Sequence, residues 1–390
     1  MKQAEYQISL FDGDHKLTID KPIRLIELFA GYGSQALALK YLGANFEHWK
    51  ICEWAVKSIQ AYKDLHFGDD NTDYSATKTQ DEVIDYLYSK GISANYNEPM
   101  TIDQIKRLGE EKQRVIYNNL IATHNLVSVC NCHASDLEIS DTDKYTYIMT
   151  YSFPCQDLSS AGKGLGMGKG SGTRSGLLWE VERILDECNG NLPQILLMEN
   201  VPEVIGTNNS EHFSQWVAKL DSLGYKSKWE ILNAKDYGVP QNRARCFMVS
   251  WLGNYYYDFP TPIKLENRLK DVLETNVDEK YYLSERIVQY FTEHTKEAIE
   301  NGNGFRFSPT DGNVVGKAIT TRAGGRMDDN FIIENLRIRK LTPKECGRLM
   351  GVRDKDIDTM AVNQSNSSQY HLYGDSIVVD VLMAIFGQML

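Results

Sequence analysis

Residues 23–34 read IRLIELFAGYGS, and this stretch decides the fold. Its apolar half predicts a buried strand, and Gly31 and Gly33 predict a turn into the helix that follows. The same pattern returns at once, with a predicted strand at 46–53 and a helix at about 54–66. Strands that alternate with helices are typical of the α/β class. We therefore predict a doubly wound, mostly parallel sheet whose binding sites lie at the carboxyl ends of its strands.

Five further strands are predicted downstream, at about residues 126–131, 145–150, 194–201, 225–233 and 246–252. The chain before them, residues 68–125, is longer than a crossover between parallel strands requires. Two helical patterns in it, at 81–90 and 101–120, predict an inserted helical hairpin.

The pattern changes at residue 255. From there to residue 334 clean periodicity is lost, and it returns at about residue 335 with the helix start Thr342-Pro343. We therefore predict a first domain at 1–254, a second, smaller domain at 255–334, and a return of 335–390 to the first domain.

Composition limits the class of protein. The chain has 390 residues, 42% hydrophobic and 24% charged, which is typical of globular domains. No apolar run is long enough to span a bilayer, and the amino-terminal residues lack the apolar core of a signal peptide. Seven scattered cysteines argue against a disulfide framework, so we expect a cytoplasmic protein. Cys130, Cys132 and His133 lie too close together to complete a tetrahedral site, so we predict no metal.

The formal net charge of −11 is unfavourable for binding a polyanion. However, the charge is unevenly distributed along the chain. Residues 64–85 contain seven acids and one Lys, whereas 158–178 contain Lys163, Lys169 and Arg174 and no acid. Local basic surfaces can therefore face nucleic acid while acidic surface faces away.

Residues 151–159 read YSFPCQDLS and follow a predicted strand. Pro154 would hold Cys155 at the end of that strand, ahead of a glycine-rich loop, as a thiolate nucleophile requires. Glu199 ends the next predicted strand, where it is suited to proton donation. Arg243 and Arg245 lie two residues apart and would point the same way on an extended segment.

The order and spacing of four blocks resemble the DNA (cytosine-5)-methyltransferase family of bacterial or phage type. The blocks are residues 27–34, 151–159, 195–201 and 241–245, within a resemblance that covers roughly 23–260 and 335–390. It implies that 1–254 is the catalytic and cofactor-binding domain and 255–334 the target-recognition domain. It also implies S-adenosylmethionine as methyl donor and double-stranded DNA as substrate. We expect the protein to be a monomer. Whether it has a cognate restriction endonuclease as a partner is left open by the sequence.

The resemblance implies a set of cofactor contacts: Phe29, Gly31, Tyr32, Ser34, Glu53, Trp54, Asp136, Leu137, Pro154, Asp375 and Ser376. Glu53 would accept hydrogen bonds from the ribose hydroxyls, Trp54 would stack on the adenine, and Asp136 would bind its amine. Asp375 departs from the family pattern, which has Asn there, and its charge would repel the cofactor carboxylate. Ser34 and Tyr32 also depart from it, replacing a Gly and a smaller apolar residue.

The resemblance further implies covalent catalysis on a base rotated out of the duplex. Cys155 would add to carbon 6 of cytosine and make carbon 5 nucleophilic, while Glu199 relieves the charge at ring nitrogen 3. Arg243 and Arg245 would orient Glu199 and the base or contact a phosphate. The glycine-rich residues 159–173 would close over the DNA.

The expected DNA contacts are Lys163, Lys169, Arg306, Lys317, Arg322 and Arg326. Residues 306–326 hold four basic residues against the single acid Asp311. Arg322 and Arg326 flank two glycines, from which they would reach the major groove and pair with guanine.

Three alternatives stay open. An RNA-directed relative would share the catalytic blocks, although the Cys-Phe-Thr triplet typical of that branch is absent from the sequence. A catalytically silent DNA-binding homologue would be expected to lose Cys155, Glu199 or Gly31, all of which are present. A nicotinamide-dependent enzyme would require a third Gly where Ala36 stands.

Overall fold

The structure is a computed structural model that describes residues 15–154, 167–169, 174–302, 304 and 306–390. Its strands are β1 His15–Lys16, β2 Ile23–Leu28, β3 Phe46–Cys52, β4 Thr146–Tyr151, β5 Ile195–Asn200, β6 Tyr225–Asn233, β7 Gln241–Asn242, β8 Ala244–Leu252, β9 Tyr255–Tyr256, β10 Gly316–Lys317, β11 Phe331–Glu334 and β12 Arg337–Lys340. Its helices are α1 Ser34–Leu42, α2 Val56–His66, α3 Gln80–Lys90, α4 Ile102–Arg107, α5 Glu110–Ala122, α6 Ala134–Leu137, α7 Leu178–Glu187, α8 Ser210–Ser222, α9 Glu285–Glu300, α10 Pro343–Leu349, α11 Asp354–Ala361, α12 Asn366–Gly374 and α13 Val379–Phe386. Among the helices of these residues, none combines the length and the apolar character that a membrane span requires.

A six-stranded sheet organises the chain, in the order β3-β2-β4-β5-β8-β6. Only β8 within this sheet runs antiparallel to its neighbours, so the predicted mostly parallel α/β sheet is confirmed. Every residue of β2, β4 and β5 is buried, as expected of strands covered on both faces. One face packs against α1 and α13, with Leu37 and Leu382 in its core. The other packs against α7 and α8, with Leu178 and Trp216 in its core.

The predicted strand at 126–131 is wrong. Asn125 makes one isolated bridge to Ile51, after which the chain leaves the sheet and forms a 3-10 turn at Val129–Asn131. The cause is local, because the side-chain oxygen of Asn125 accepts the backbone N–H of Val127, which takes a left-handed φ of 70°. On this side β3 is therefore the edge of the sheet.

The insertion predicted at residues 68–125 contains three helices, α3 to α5, and not the predicted hairpin of two. Its second helical pattern breaks at Gly109, where φ is 81°, into α4 and α5. Thr79 and Thr101 begin α3 and α4 as capping boxes. The insertion has an apolar core of its own, which includes Leu87 and Ile105 and against which Trp54 packs.

The region predicted as a second domain contacts the sheet domain through short strands. β10 pairs with β7, and β11 forms a hairpin with β12. Tyr257 and Phe259, just after the predicted boundary, still pack in the core of the first face. As predicted, Thr342 caps a helix that begins at Pro343.

Candidate active site

The turn after β2 combines three residues of positive φ, Phe29 (59°), Gly31 (57°) and Gly33 (81°). A Cβ on Gly33 would lie 2.5 Å from Nε2 of His66, so only glycine fits against α2. A Cβ on Gly31 would meet nothing within 4 Å. The backbone at Gly31 can therefore be approached closely by a ligand.

The carboxylate of Glu53 lies directly beside this turn. Its oxygens accept the backbone N–H groups of Gly31 (2.9 Å) and Ala55 (2.7 Å). The side chain of Asn125 binds the backbone of Glu53 twice: its amide oxygen accepts from Glu53 N (3.1 Å), and its amide nitrogen donates to Glu53 O (2.9 Å). Burial raises the pKa of Glu53 to about 7, and the charge of Asp375 contributes to the rise.

The segment 374–376 closes the same turn from the carboxyl-terminal end of the chain. The hydroxyls of Ser34 and Ser376 lie 2.5 Å apart, which places both predicted residues at the start of α1. Asp375 is half exposed, and its carboxylate lies 3.7 Å from Nδ1 of His371. A Cβ on Gly374 would lie 2.3 Å from the backbone of Thr320, so the segment that was predicted to recognise the target packs against residues 374–376.

The other predicted cofactor residues differ in how much of their side chain a ligand could contact. Asp136 lines a cavity of about 160 Å³ together with Ser89, Lys90, Leu126 and Asn131, and Trp54 is half-buried. The side chains of Tyr32 and Leu137 are fully buried in the core, so these two positions offer a ligand only their backbone.

Glu199 and Arg245 form an ion pair at the carboxyl end of β5, with 3.1 Å between Nε and Oε1. Burial raises the pKa of Glu199, while the charges of Arg245 and Arg243 act in the opposite direction. The neighbouring Asn200 donates to the carbonyl of Phe153 at 3.0 Å. This bond joins the ends of β4 and β5, and it places Glu199 beside the chain that leads to Pro154.

Cys155 and Lys163 lie outside the described residues. The described neighbour of Cys155, Pro154, accepts a hydrogen bond from the hydroxyl of Ser175 at 2.7 Å. Segments on both sides of the predicted nucleophile are therefore fixed to each other.

Arg243 and Arg245 have different surroundings, although they were predicted to point the same way. The Arg243 guanidinium is buried and donates to the carbonyls of Ile319 (3.0 Å), Gly374 (2.9 Å) and Ser376 (2.7 Å). The Arg243 side chain therefore binds backbone carbonyls, whereas a contact to a DNA phosphate was one of its expected roles.

The predicted DNA contacts are dispersed, and several have intramolecular partners. Lys169 pairs with Glu182 at 2.5 Å. Arg326 makes two bonds to the carboxylate of Asp328, at 3.0 and 3.1 Å. Lys317 donates to Ser308 and to the carbonyl of Asp328, both at 2.9 Å. Arg306 and Arg322 are exposed.

Sequence reasoning missed Asn125 and Tyr96, which both belong to the surroundings of Glu53. Asn125 stands at the end of the insertion, in a segment that reads as the start of a strand. Tyr96 lies in a polar turn of the insertion, and its ring is stacked on His371 with 4.2 Å between ring centroids. No local pattern indicated that either residue belongs to the site, because Glu53 is distant in sequence from Asn125 and His371 is distant from Tyr96.

These residues fit S-adenosylmethionine. A buried carboxylate at Glu53 suits ribose hydroxyls, the backbone at Gly31 is open to close approach, and Asp136 lines a small cavity. When bound, the cofactor supplies an electrophilic methyl group.

Comparisons with known proteins identify the family. The family model for C-5 cytosine-specific DNA methylase matches residues 116–390. The orphan methyltransferase M.SssI of Spiroplasma monobiae is 34% identical over 94% of this chain and 96% of its own length. The type II methyltransferase M2.ScrFI of Lactococcus lactis subsp. cremoris is 33% identical over 94% and 99%. Among solved structures, the Dnmt2 methyltransferase of S. pombe shares the fold, with a TM-score of 0.64, 17% identity, and 93% and 97% of the two chains covered. The chain therefore belongs to the C-5 cytosine-specific DNA methylase family and is a DNA (cytosine-5)-methyltransferase that uses S-adenosylmethionine.

Proposed function

We propose that the enzyme methylates cytosine within one specific sequence of double-stranded DNA, through a covalent bond between Cys155 and a base rotated out of the duplex. The observation that carries the proposal is the ion pair that the buried Glu199 forms with the partly buried Arg245 at the end of β5. It lies beside the chain that leads to Cys155, because Asn200 is bonded to Phe153.

The proposed chemistry follows from the properties of cytosine. The thiolate of Cys155 forms a bond to carbon 6, which breaks the aromaticity of the ring and moves an electron pair to carbon 5. Glu199 faces ring nitrogen 3 and shares a proton with it, a role that burial favours because it raises the pKa of Glu199. Carbon 5 would then take the methyl group of S-adenosylmethionine, which leaves as S-adenosylhomocysteine. Loss of the carbon 5 proton to solvent returns an electron pair to the ring and expels the thiolate of Cys155 from carbon 6.

A stacked base cannot reach Glu199, so the target is proposed to leave the helix at a cost of a few kcal/mol. The residues predicted to read the sequence, 255–334, are joined to the cofactor end of the molecule through Thr320 and Gly374. We further propose that the enzyme acts as a monomer, which light scattering with and without DNA would test.

The first experiment identifies the target. Methylation-sensitive sequencing of DNA from cells that express the gene should reveal one short motif in which cytosine is methylated at carbon 5. Methylation without a common motif would contradict the proposed specificity.

The second experiment tests the covalent bond. Duplexes that carry 5-fluorocytosine in the motif should trap the wild-type enzyme in a complex that survives denaturation, because no proton can leave carbon 5. Cys155→Ala should not be trapped, whereas Cys130→Ala, at a thiol that is exposed, should be trapped like the wild type. A wild-type complex that dissociates on denaturation would contradict the mechanism.

A further inference from the structure

The insertion between β3 and β4 borders the cofactor cleft through a tight turn at residues 93–98. Ser93 pairs with the chain immediately after Glu53, through Ser93 N to Trp54 O (2.7 Å) and Val56 N to Ser93 O (2.9 Å). The hydroxyl of Ser93 closes the turn by donating to the carbonyl of Glu98 (2.7 Å) and accepting from Tyr96 N (3.1 Å). The position of Tyr96 is therefore fixed relative to Glu53.

The side chain of Tyr96 extends from this turn to helices α2 and α12. Its ring is stacked on His371 of α12, with an interplanar angle of 17°. Its hydroxyl lies 3.2 Å from Oγ of the buried Ser58 in α2. Its backbone holds a left-handed φ of 63°, which is unusual for an aromatic residue. One side chain thus connects the insertion to the two helices that flank the first turn.

The electrostatic surroundings of Tyr96 agree with this geometry. Burial raises the pKa of its phenol, and the charges of Glu53 and Asp375 raise it further. The phenol is therefore within electrostatic range of both carboxylates, one proposed to bind the ribose and the other next to Ser376. The insertion also contributes Ser89 and Lys90 to the cavity that Asp136 lines.

We propose that Tyr96 is a binding residue for S-adenosylmethionine, through which the insertion closes the ribose side of the cofactor site against water. The inference rests on the proposed cofactor site at Gly31 and Glu53. The insertion then belongs to the cofactor site and is more than an addition to the surface.

The test measures cofactor binding by calorimetry on the full chain. Tyr96→Ala should weaken binding of both S-adenosylmethionine and S-adenosylhomocysteine about tenfold, as a loss of about 1.4 kcal/mol would produce. Tyr96→Phe keeps the ring on His371 and should bind nearly as the wild type does. Tyr88→Ala serves as the matched control, because Tyr88 is half exposed on α3 of the same insertion.

Each outcome distinguishes the inference from the proposed site. If Glu53→Ala weakens binding and Tyr96→Ala does not, Tyr96 only supports α12 and the inference is wrong. If Glu53→Ala also leaves affinity unchanged, the proposed site itself is wrong. A lower melting temperature with unchanged cofactor affinity would equally overturn the binding role. Should Tyr96→Ala fail to fold, Tyr96→Leu removes the stacking while keeping the bulk and carries the same expectation.

Discussion

Arg243 donates a hydrogen bond of 2.7 Å to the backbone carbonyl of Ser376, whose hydroxyl contacts Ser34 at the start of α1. The same guanidinium donates to the carbonyl of Ile319, within residues 255–334. One buried side chain therefore joins the segment proposed to read DNA to the loop proposed to hold the cofactor. This arrangement indicates that Arg243 positions both segments, whereas Arg245 acts on Glu199.

Arg243→Lys should lower both cofactor affinity and stability, because one ammonium group cannot reach all three carbonyls. Buried carbonyls left without a donor cost about 1–3 kcal/mol. Urea unfolding and calorimetry with S-adenosylmethionine would measure the two effects. Arg245→Lys is the comparison, since it should reduce turnover while cofactor affinity stays near the wild-type value. Equal behaviour of the two variants would contradict the separate roles.

Glu199→Gln should lower kcat by about 10²–10⁴-fold, the range for loss of a general acid. The amide keeps the size of the carboxyl group but cannot transfer a proton to ring nitrogen 3. Cofactor affinity should stay near the wild-type value, since Glu199 pairs with Arg245, whereas Glu53 is the carboxylate that contacts the turn at Gly31. Single-turnover kinetics with saturating DNA would measure the step. A variant with wild-type kcat would remove Glu199 from the mechanism.

The positions of strand ends and of the glycine turn after β2 could be predicted from the sequence. Gly31 and Glu53 lie together because β2 and β3 are adjacent parallel strands, and their hydrogen bond follows from that topology. The strand predicted at 126–131 does not form, because the side chain of Asn125 binds the backbone N–H of Val127 and turns the chain away from the sheet. The stacking of Tyr96 on His371 depends on contacts between residues far apart in sequence, which no local pattern contains.

Glu27 should make stability depend on pH. Its carboxylate is fully buried and accepts hydrogen bonds from Tyr62 (2.5 Å) and from Ala36 N (3.3 Å). Burial raises its pKa from 4.5 to about 7. The native state then binds more protons than the unfolded state between these values, so stability falls as pH rises from 4.5 to 7, by about 3 kcal/mol at most.

Glu27→Gln should flatten this part of the pH dependence, because the amide stays neutral and can donate to Tyr62. Urea unfolding at several pH values between 4.5 and 8 would measure the difference from the wild type. Glu211→Gln, an exposed position on α8, should leave the slope unchanged. A Glu27→Gln variant with the wild-type slope would show that Glu27 ionises without cost in the folded protein.

The hairpin of β11 and β12 should depend on the buried ion pair of Arg339 and Glu345. Both side chains are fully buried, and the guanidinium makes two bonds of 2.9 Å to the carboxylate. Arg339→Met leaves the charge of Glu345 buried without its ion-pair partner, so thermal or urea unfolding should show a loss of about 3–5 kcal/mol. Arg337→Met removes a solvent-exposed pair with Glu279 and should change stability little. Similar losses for the two variants would contradict the role of burial.

Sequence specificity should depend more on Arg322 than on Arg326. Both were predicted to read bases, but the guanidinium of Arg326 is bonded to Asp328 and must be released before it can contact DNA. Arg322 is exposed on the segment that contacts Gly374. Arg322→Ala should relax or shift the methylated motif and lose about 1–3 kcal/mol of discrimination at one base pair. Methylation-sensitive sequencing of cells that express each variant would measure the motif, with Arg286→Ala on α9 as an exposed control. If both Arg322→Ala and Arg326→Ala methylate the wild-type motif at the wild-type rate, the base contacts lie elsewhere in residues 255–334.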